Sequence, residues 1–242
     1  AGIASSASAL SALSLCLCSL EDRFFGTLEE DEDFRRKASF VARLGSGSAC
    51  RSIYARAAFW GAHGEVPNSS DAYALPMEQW LHPVFQTYQN DILLVSSATK
   101  SVSSSAGHEL MATHAFADSR FKSAYQRVHR LLPVLKKGDL EEFIRITETE
   151  ALTLHGLMMS SYPPYLLMQA NTVEILQRVR QFRKETGTPL CFSLDAGPNP
   201  HLLYPESEQQ VVQTFIKDEL LPFCEREKHI GDRVGEGPLQ LD

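Results

Sequence analysis

Apolar and polar positions along this chain change period often enough to lay out most of its elements. Residues 9–20 mix Leu, Ala and Cys with Ser and carry no charge, which predicts a buried helix. Residues 28–44 place Phe34, Ala38 and Val41 three to four apart, with Leu44 prolonging the stripe. Acids open that segment (Glu29, Glu30, Asp31, Glu32) and bases follow (Arg35, Arg36, Lys37), the order that suits a helix dipole, so an amphipathic helix with a solvated charged face is predicted. Short apolar runs at 57–60, at 92–95 and from Leu190 to Leu194 read as strands, the last bounded by Pro189 and by Gly197-Pro198. Residues 67–76 read as a polar loop. Helices are predicted over 108–116, 119–132, 140–157, 171–185 and 206–227, with a short segment at 201–204 and a Gly-rich tail over 231–237.

Composition narrows the field. A chain of 242 residues with 43% hydrophobic and 22% charged positions can bury a sizeable core, as one large domain or two small ones. The net charge of −7 offers no general basic surface for nucleic acid, so any phosphate would be held by a local pocket. The five cysteines include no CxxC pair, and the eight histidines include no pair at helical i, i+4 spacing. Both facts argue against a structural zinc site and for reduced thiols in the cytosol. The apolar run at 9–20 has no basic residue before it, the first being Arg23, and is too short and Ser-rich to span a membrane. No membrane partner is expected. In a cytosolic setting the glycosylation-type triplet Asn68-Ser69-Ser70 has no consequence.

Chemistry concentrates in a few stretches. Asp195 stands where an apolar run meets the turn Ala196-Gly197-Pro198-Asn199-Pro200. A carboxylate at the exit of a buried strand loses water on one side, which raises its proton affinity and suits a general base. The plainer reading is that Asp195 caps the turn. At the other end, Ala1 to Ser8 is a small-residue loop running into a helix, where Gly2, Ser5 and Ser6 could let backbone N–H groups converge on an anion. The plainer reading there is a serine N-cap. Gly45 to Ser52, Gly-Ser-Gly-Ser-Ala-Cys-Arg-Ser, offers close backbone approach, the hydroxyls of Ser46 and Ser48, and in Arg51 a planar cation suited to phosphate or carboxylate. Lys100 to Gly107 is another hydroxyl-rich loop and a candidate second anion contact.

In this order and at this separation, these stretches resemble the mevalonate diphosphate decarboxylase family of the GHMP kinase superfamily. Ala1 to Ala7 resembles the superfamily's ATP phosphate-binding motif, Gly45 to Ser52 the family's substrate-anion loop, and Leu194 to Asn199 its catalytic-aspartate motif. Weaker echoes are Ser70-Asp71, Ser103-Ser104 before Gly107, His155 and Tyr162-Pro163-Pro164. The resemblance implies an α+β, two-lobed, GHMP-kinase-like fold: the remainder of a ribosomal S5 domain 2-like lobe over 1–88, and a ferredoxin-like lobe over 89–242. It implies ATP with Mg2+, and decarboxylation of mevalonate 5-diphosphate to isopentenyl diphosphate in a cytoplasmic homodimer.

Residue by residue, the resemblance sets Asp195 at the substrate's tertiary hydroxyl and Arg51 near its carboxylate and phosphates. Ser46, Ser48 and Ser104 fall to the substrate, and Gly2, Ser5 and Ser6 to the ATP phosphates. No metal ligand is assigned to the protein itself. The family's first strands, with a Lys-Tyr-Trp-Gly-type motif, are expected ahead of Ala1, so the chain as given is expected to be incomplete for activity. His108 stands where the family usually has Met, and Leu152 where eukaryotic relatives usually carry Asn, which leaves mono- or diphosphate preference open. A related phosphomevalonate decarboxylase, a mevalonate-type kinase, or a non-catalytic module descended from the family are the alternatives.

Overall fold

In a computed structural model, residues 5–98 and 114–239 are described. The described residues up to Trp80 pack with those from Val234 onward as one unit, and Leu81–Arg233 form another.

The first unit is built on α1 (Ser5–Phe25), α2 (Asp31–Gly45) and a 3-10 turn (Gly47–Ile53). Their shared core is made of Ala7, Cys18, Leu28, Ala38, Ala42, Ala49 and Ile53, mostly small side chains that bring backbones close. A Cβ on Gly45 would sit 3.0 Å from Leu10 Cδ1, so α2 ends in close contact with α1. The wholly buried helix expected at 9–20 is corrected. Only the line Ala7, Ser11, Ser14, Cys18 is buried, while Leu13, Leu17, Leu20 and Phe24 lie on the exposed side. Serine is tolerated on the packed side because Ser11 and Ser14 donate to the carbonyls of Ser8 and Leu10 within their own helix. In α2 the buried line is Ala38, Ser39 and Ala42, with Phe34 packed beside it. Leu44, at 71% exposed, is not part of the stripe.

Strands β1 (Ala58–Trp60) and β2 (Ala74–Pro76) pair antiparallel, so the end of the predicted polar loop is strand. Asp71 closes that connection: its Oδ1 accepts the Ala62 N–H at 2.9 Å and its carbonyl accepts Trp60 Nε1–H at 2.9 Å. The tail is tied to the same unit, the Arg56 N–H donating to the Gly235 carbonyl at 2.8 Å.

The second unit runs α3 (Pro83–Gln86), β3 (Gln89–Leu93), α4 (Ala117–Lys137), α5 (Leu140–Met159), α6 (Ala170–Thr186), β4 (Cys191–Leu194), β5 (Pro200–Tyr204), α7 (Gln209–Phe215) and β6 (His229–Arg233). Its strands form one antiparallel sheet in the order β4-β5-β3-β6. The helix predicted at 119–132 runs on past Pro133 to Lys137, where Gly138 at φ 77° stops it, and Asp139 then caps α5 by accepting the Glu142 N–H at 3.0 Å. The helix expected over 206–227 is helical to Phe223 but not uniformly α: α7 passes into a π turn at Ile216–Leu220 and a 3-10 turn at Leu221–Phe223 that holds Pro222, and the left-handed Arg226 (φ 56°) lies beyond it. The Gly-rich tail begins as strand β6, with Gly231 opposite Asp91. The helix predicted over 108–116 falls largely outside the described residues.

Leu190, Phe192, Leu202, Tyr204, Val179, Ile175, Ile216 and Leu220 are at 0% exposure in one cluster, and Phe182 stacks on Phe215 at 4.0 Å. Each such side chain contributes about 1.5–3 kcal/mol by its burial. A buried carboxyl group lies beside them: Asp91 on β3 is 1% exposed, its Oδ2 accepting from Tyr204 Oη and, at 2.9 Å, from Gln213 Nε2. Its Oδ1 has no hydrogen-bond partner among the described residues, with His229 Nε2 lying 3.5 Å away.

Candidate active site

Asp195 follows directly on β4, whose burial anchors the approach to the turn. The start of that strand is held by Arg183 on α6, which donates to the Leu190 carbonyl at 2.5 Å while pairing with the buried Glu148 of α5 at 2.7 Å. At the exit, the Asp195 carbonyl accepts the Gly197 N–H at 2.8 Å and lies 2.9 Å from His155 Nε2. A carbonyl can only accept, so the His155 ring is placed as the Nε2–H tautomer. Further along, Thr172 Oγ1 at the start of α6 accepts the Gln169 N–H at 3.2 Å and donates to the Pro198 carbonyl at 2.6 Å. The Asn199 amide makes a reciprocal pair with the Ser96 backbone, accepting its N–H at 3.0 Å and donating to its carbonyl at 3.1 Å. The next residue, Ser97, donates its N–H and its hydroxyl to Glu225, and these donors hold that carboxyl below its ordinary pKa.

The partial burial expected of Asp195 is corrected: its side chain is exposed. The strand ends at Leu194, and the turn carries the next residue clear of the apolar layer. Desolvation falls instead on His155, at 1% exposure, whose pKa is pushed below the usual histidine value by burial, partly offset by the hydrogen bond and the charge of Asp195.

In the first unit, Gly47–Ile53 presents Arg51 from a buried base. Ala49, Cys50 and Ile53 are at 0% exposure, whereas Arg51 is exposed and Ser46 and Ser48 are half-buried. Ser39 locks the backbone from beneath, donating to the Cys50 carbonyl at 2.9 Å and accepting the Ala74 N–H at 2.9 Å. An added Cβ at Gly47 would lie 3.2 Å from the Trp60 ring, so this loop depends on glycine for fit. Burial raises the Cys50 thiol pKa, which keeps it a neutral packing group. Ser6 is exposed on the first turn of α1, and its neighbour Ala7 shares a core with Ala49, so Ser6, Ser46, Ser48 and Arg51 stand on one packed body. Asp195 belongs to the other unit. Of Ser5 only the backbone, at the start of α1, is described, and Gly2 and Ser104 lie outside the described residues. A cavity of about 860 Å3 in the first unit, lined by Arg35, Tyr54, Met77 and Trp80 among others, contains none of these candidates.

Sequence reasoning named His155 only as a weaker echo of the family and Asn199 only within the aspartate motif, and passed over Thr172, Ser96 and the bonds that join the four to the turn. A lone His on an apolar helix carries no motif, and partners as far apart as 96 and 199 leave no local signal. Among the described residues no cluster of His, Cys, Asp or Glu could hold a metal ion, and no helix is long and apolar enough to cross a membrane.

Comparison with known proteins places this arrangement. Residues 91–236 match the mevalonate 5-diphosphate decarboxylase C-terminal domain, and residues 1–74 the diphosphomevalonate decarboxylase-like N-terminal domain. A diphosphomevalonate decarboxylase of Aspergillus fumigatus is 31% identical over 231 residues, covering 93% of this chain and 54% of that protein. The crystal structure of a mevalonate diphosphate decarboxylase from Legionella pneumophila superposes with a TM-score of 0.79 at 27% identity, over 95% of this chain and 67% of that one. A further structure, described as MDDEF in complex with MVAPP, AMPPCP and magnesium, superposes with a TM-score of 0.78 at 26% identity, over 98% and 67%. This chain spans about half the length of the curated relatives it matches.

An α+β chain with an aspartate on a clamped turn after a buried strand, and with an arginine on a Ser/Gly loop, is a member of the GHMP kinase superfamily. Within it, the chain belongs to the mevalonate diphosphate decarboxylase family.

Proposed function

We propose that this chain carries the chemistry of ATP-dependent decarboxylation of mevalonate 5-diphosphate to isopentenyl diphosphate, with ADP, phosphate and carbon dioxide as the other products. One observation carries the reading: an exposed carboxylate, Asp195, on a turn whose backbone is hydrogen-bonded from α5 and α6 and whose Asn199 side chain is paired with the Ser96 backbone. A tertiary hydroxyl is a poor nucleophile, and a fixed carboxylate beside it orients it and accepts its proton as the oxygen is phosphorylated. Arg51 supplies the bidentate cation for the substrate's carboxylate or phosphates, and Ser46 and Ser48 supply hydroxyl donors. Loss of phosphate and carbon dioxide from the phosphorylated substrate then forms the double bond of the product.

The donor set suits a nucleotide. The first described turn of α1 carries no acidic residue and exposes Ser6, at the end of a helix dipole that favours phosphate. When bound, ATP with magnesium supplies the phosphoryl group and neutralises its charge. Magnesium held by phosphates and water needs no cage of protein carboxylates. Gly2, Ser5 and Ser104 join the site on resemblance, as do the lobes at 1–88 and 89–242 and assembly as a homodimer. A cytosolic location is supported by the free state of all five cysteines.

The test is a single-turnover assay of the whole protein with ATP and mevalonate 5-diphosphate, following ADP and carbon dioxide together. Both are expected in equal amounts, and mevalonate 5-phosphate is expected to react more slowly. ATP cleavage without carbon dioxide would make the protein a kinase. No reaction with both substrates bound would make it a binding module.

A further inference from the structure

We infer that His155 is a positioning residue for Asp195: by donating to the Asp195 carbonyl from the interior of α5, it sets the direction in which the carboxylate points. This rests on the reading of Asp195 as the group that acts on the substrate hydroxyl.

The argument starts from the carbonyl. It has two lone pairs, and the structure fills both, one with the Gly197 N–H at 2.8 Å and the other with His155 Nε2–H at 2.9 Å. The first bond is local and folds the turn on itself. The second reaches 40 residues back along the chain and is the contact that ties the Asp195 peptide to a rigid element. With that peptide plane fixed on one side and β4 on the other, the Cα–Cβ bond of Asp195 has one direction. The Asp195 side chain is exposed, and the bond from His155 to its carbonyl fixes where its Cα–Cβ bond leaves the turn.

The imidazole suits this task. It is 1% exposed on a helix of 20 residues, flanked in sequence by the buried Ala151, Leu157 and Met158. Burial favours the neutral ring, and the carbonyl acceptor selects the Nε2–H tautomer. A misplacement of about 1 Å at a reacting group costs on the order of a hundredfold in rate, so a clamp of this kind is worth that much to turnover without touching substrate.

The experiment pairs His155→Phe, which keeps a ring and removes the donor, with His155→Gln, which keeps an N–H donor. The whole protein is assayed for kcat and KM, with Asp195→Asn measured beside it. His155→Phe is expected to lower kcat by about tenfold to a hundredfold with KM for both substrates within about twofold, and His155→Gln to recover part of the loss. Exchange of the Gly197 amide should accelerate in the Phe variant. If Asp195→Asn loses activity while His155→Phe keeps kcat within twofold, the positioning role is wrong and the reading of Asp195 stands. If Asp195→Asn stays active, the reading of Asp195 fails and with it the catalytic part of the inference. Should the Phe variant not fold, the ring nitrogens of the parent protein decide by NMR: an Nε2–H tautomer in slow exchange upholds the clamp, and an Nδ1–H tautomer overturns it.

Discussion

Two turns that present charged side chains in this molecule differ in what chiefly supports them. Asp195 sits on a turn held by polar bonds from distant parts of the chain, among them His155, Thr172 and the Asn199–Ser96 pair. Arg51 sits on a turn that rests on apolar fit with one polar tie: Ala49, Cys50 and Ile53 fill the core beneath it, Gly47 lies against Trp60, and Ser39 donates to the Cys50 carbonyl. Hydrogen bonds fix direction, because they weaken steeply off axis. Close packing fixes position and leaves a long side chain free above it. A short carboxylate that must meet one hydroxyl needs the first kind of support. A guanidinium on a long stem, which can reach several anionic groups, is served by the second.

The largest effect should come at the carboxylate itself. Asp195→Asn preserves shape and turn-capping capacity but removes the proton acceptor, and single-turnover release of carbon dioxide should fall by about a hundredfold to ten-thousandfold while both substrates still bind. Near-parental release would return Asp195 to the role of a cap.

Next comes the apolar base of the other turn. Ile53→Ala should cost about 2–5 kcal/mol in denaturant unfolding, as for a fully buried side chain leaving a cavity. A cost below about 1 kcal/mol would mean that packing does not hold the Arg51 turn.

Thr172→Val is close to isosteric, yet it strips a donor from the Pro198 carbonyl and an acceptor from the Gln169 N–H. A loss of about 1–3 kcal/mol is expected, with faster exchange of amides at 197–199, and unchanged exchange there would show that the polar clamp is dispensable.

The pH dependence separates the turns further. The folded pKa of His155 lies below its ordinary value near 6.5, so below pH 6.5 the unfolded chain takes up a proton that the folded one refuses. Stability should therefore be full above that pH and decline from there down to the lowered folded pKa, and His155→Gln should flatten that part of the profile in urea melts at stepped pH.

The smallest effect on stability belongs to Arg51→Lys, which should stay within about 1 kcal/mol because the side chain is exposed, while substrate affinity and turnover both drop for want of the bidentate fork. Collapse of the fold with normal kinetics in the surviving protein would make Arg51 structural.

The sequence by itself determined the elements with strong local signals: α2 from its charge order, β4 from an apolar run between Pro189 and Gly197, α5 and α6 from their periodicity. It also named the candidates Asp195, Arg51, Ser46 and Ser48, from their residue types and from the resemblance of their order to a family. What it could not determine depends on partners far along the chain. Which side of α1 is buried was hidden because small residues, not large ones, face its neighbours, reversing the usual amphipathic rule at Ala7, Ser11, Ser14 and Cys18. That Gly231 lies in a strand depends on its pairing with Asp91 of β3, and helix α4 runs through Pro133 to end at Gly138. Only the tertiary structure decided that Asp195 stands in solvent while His155 behind it is buried: exposure is set by where the sheet ends and the helices cover it, and no local stretch of sequence carries that information.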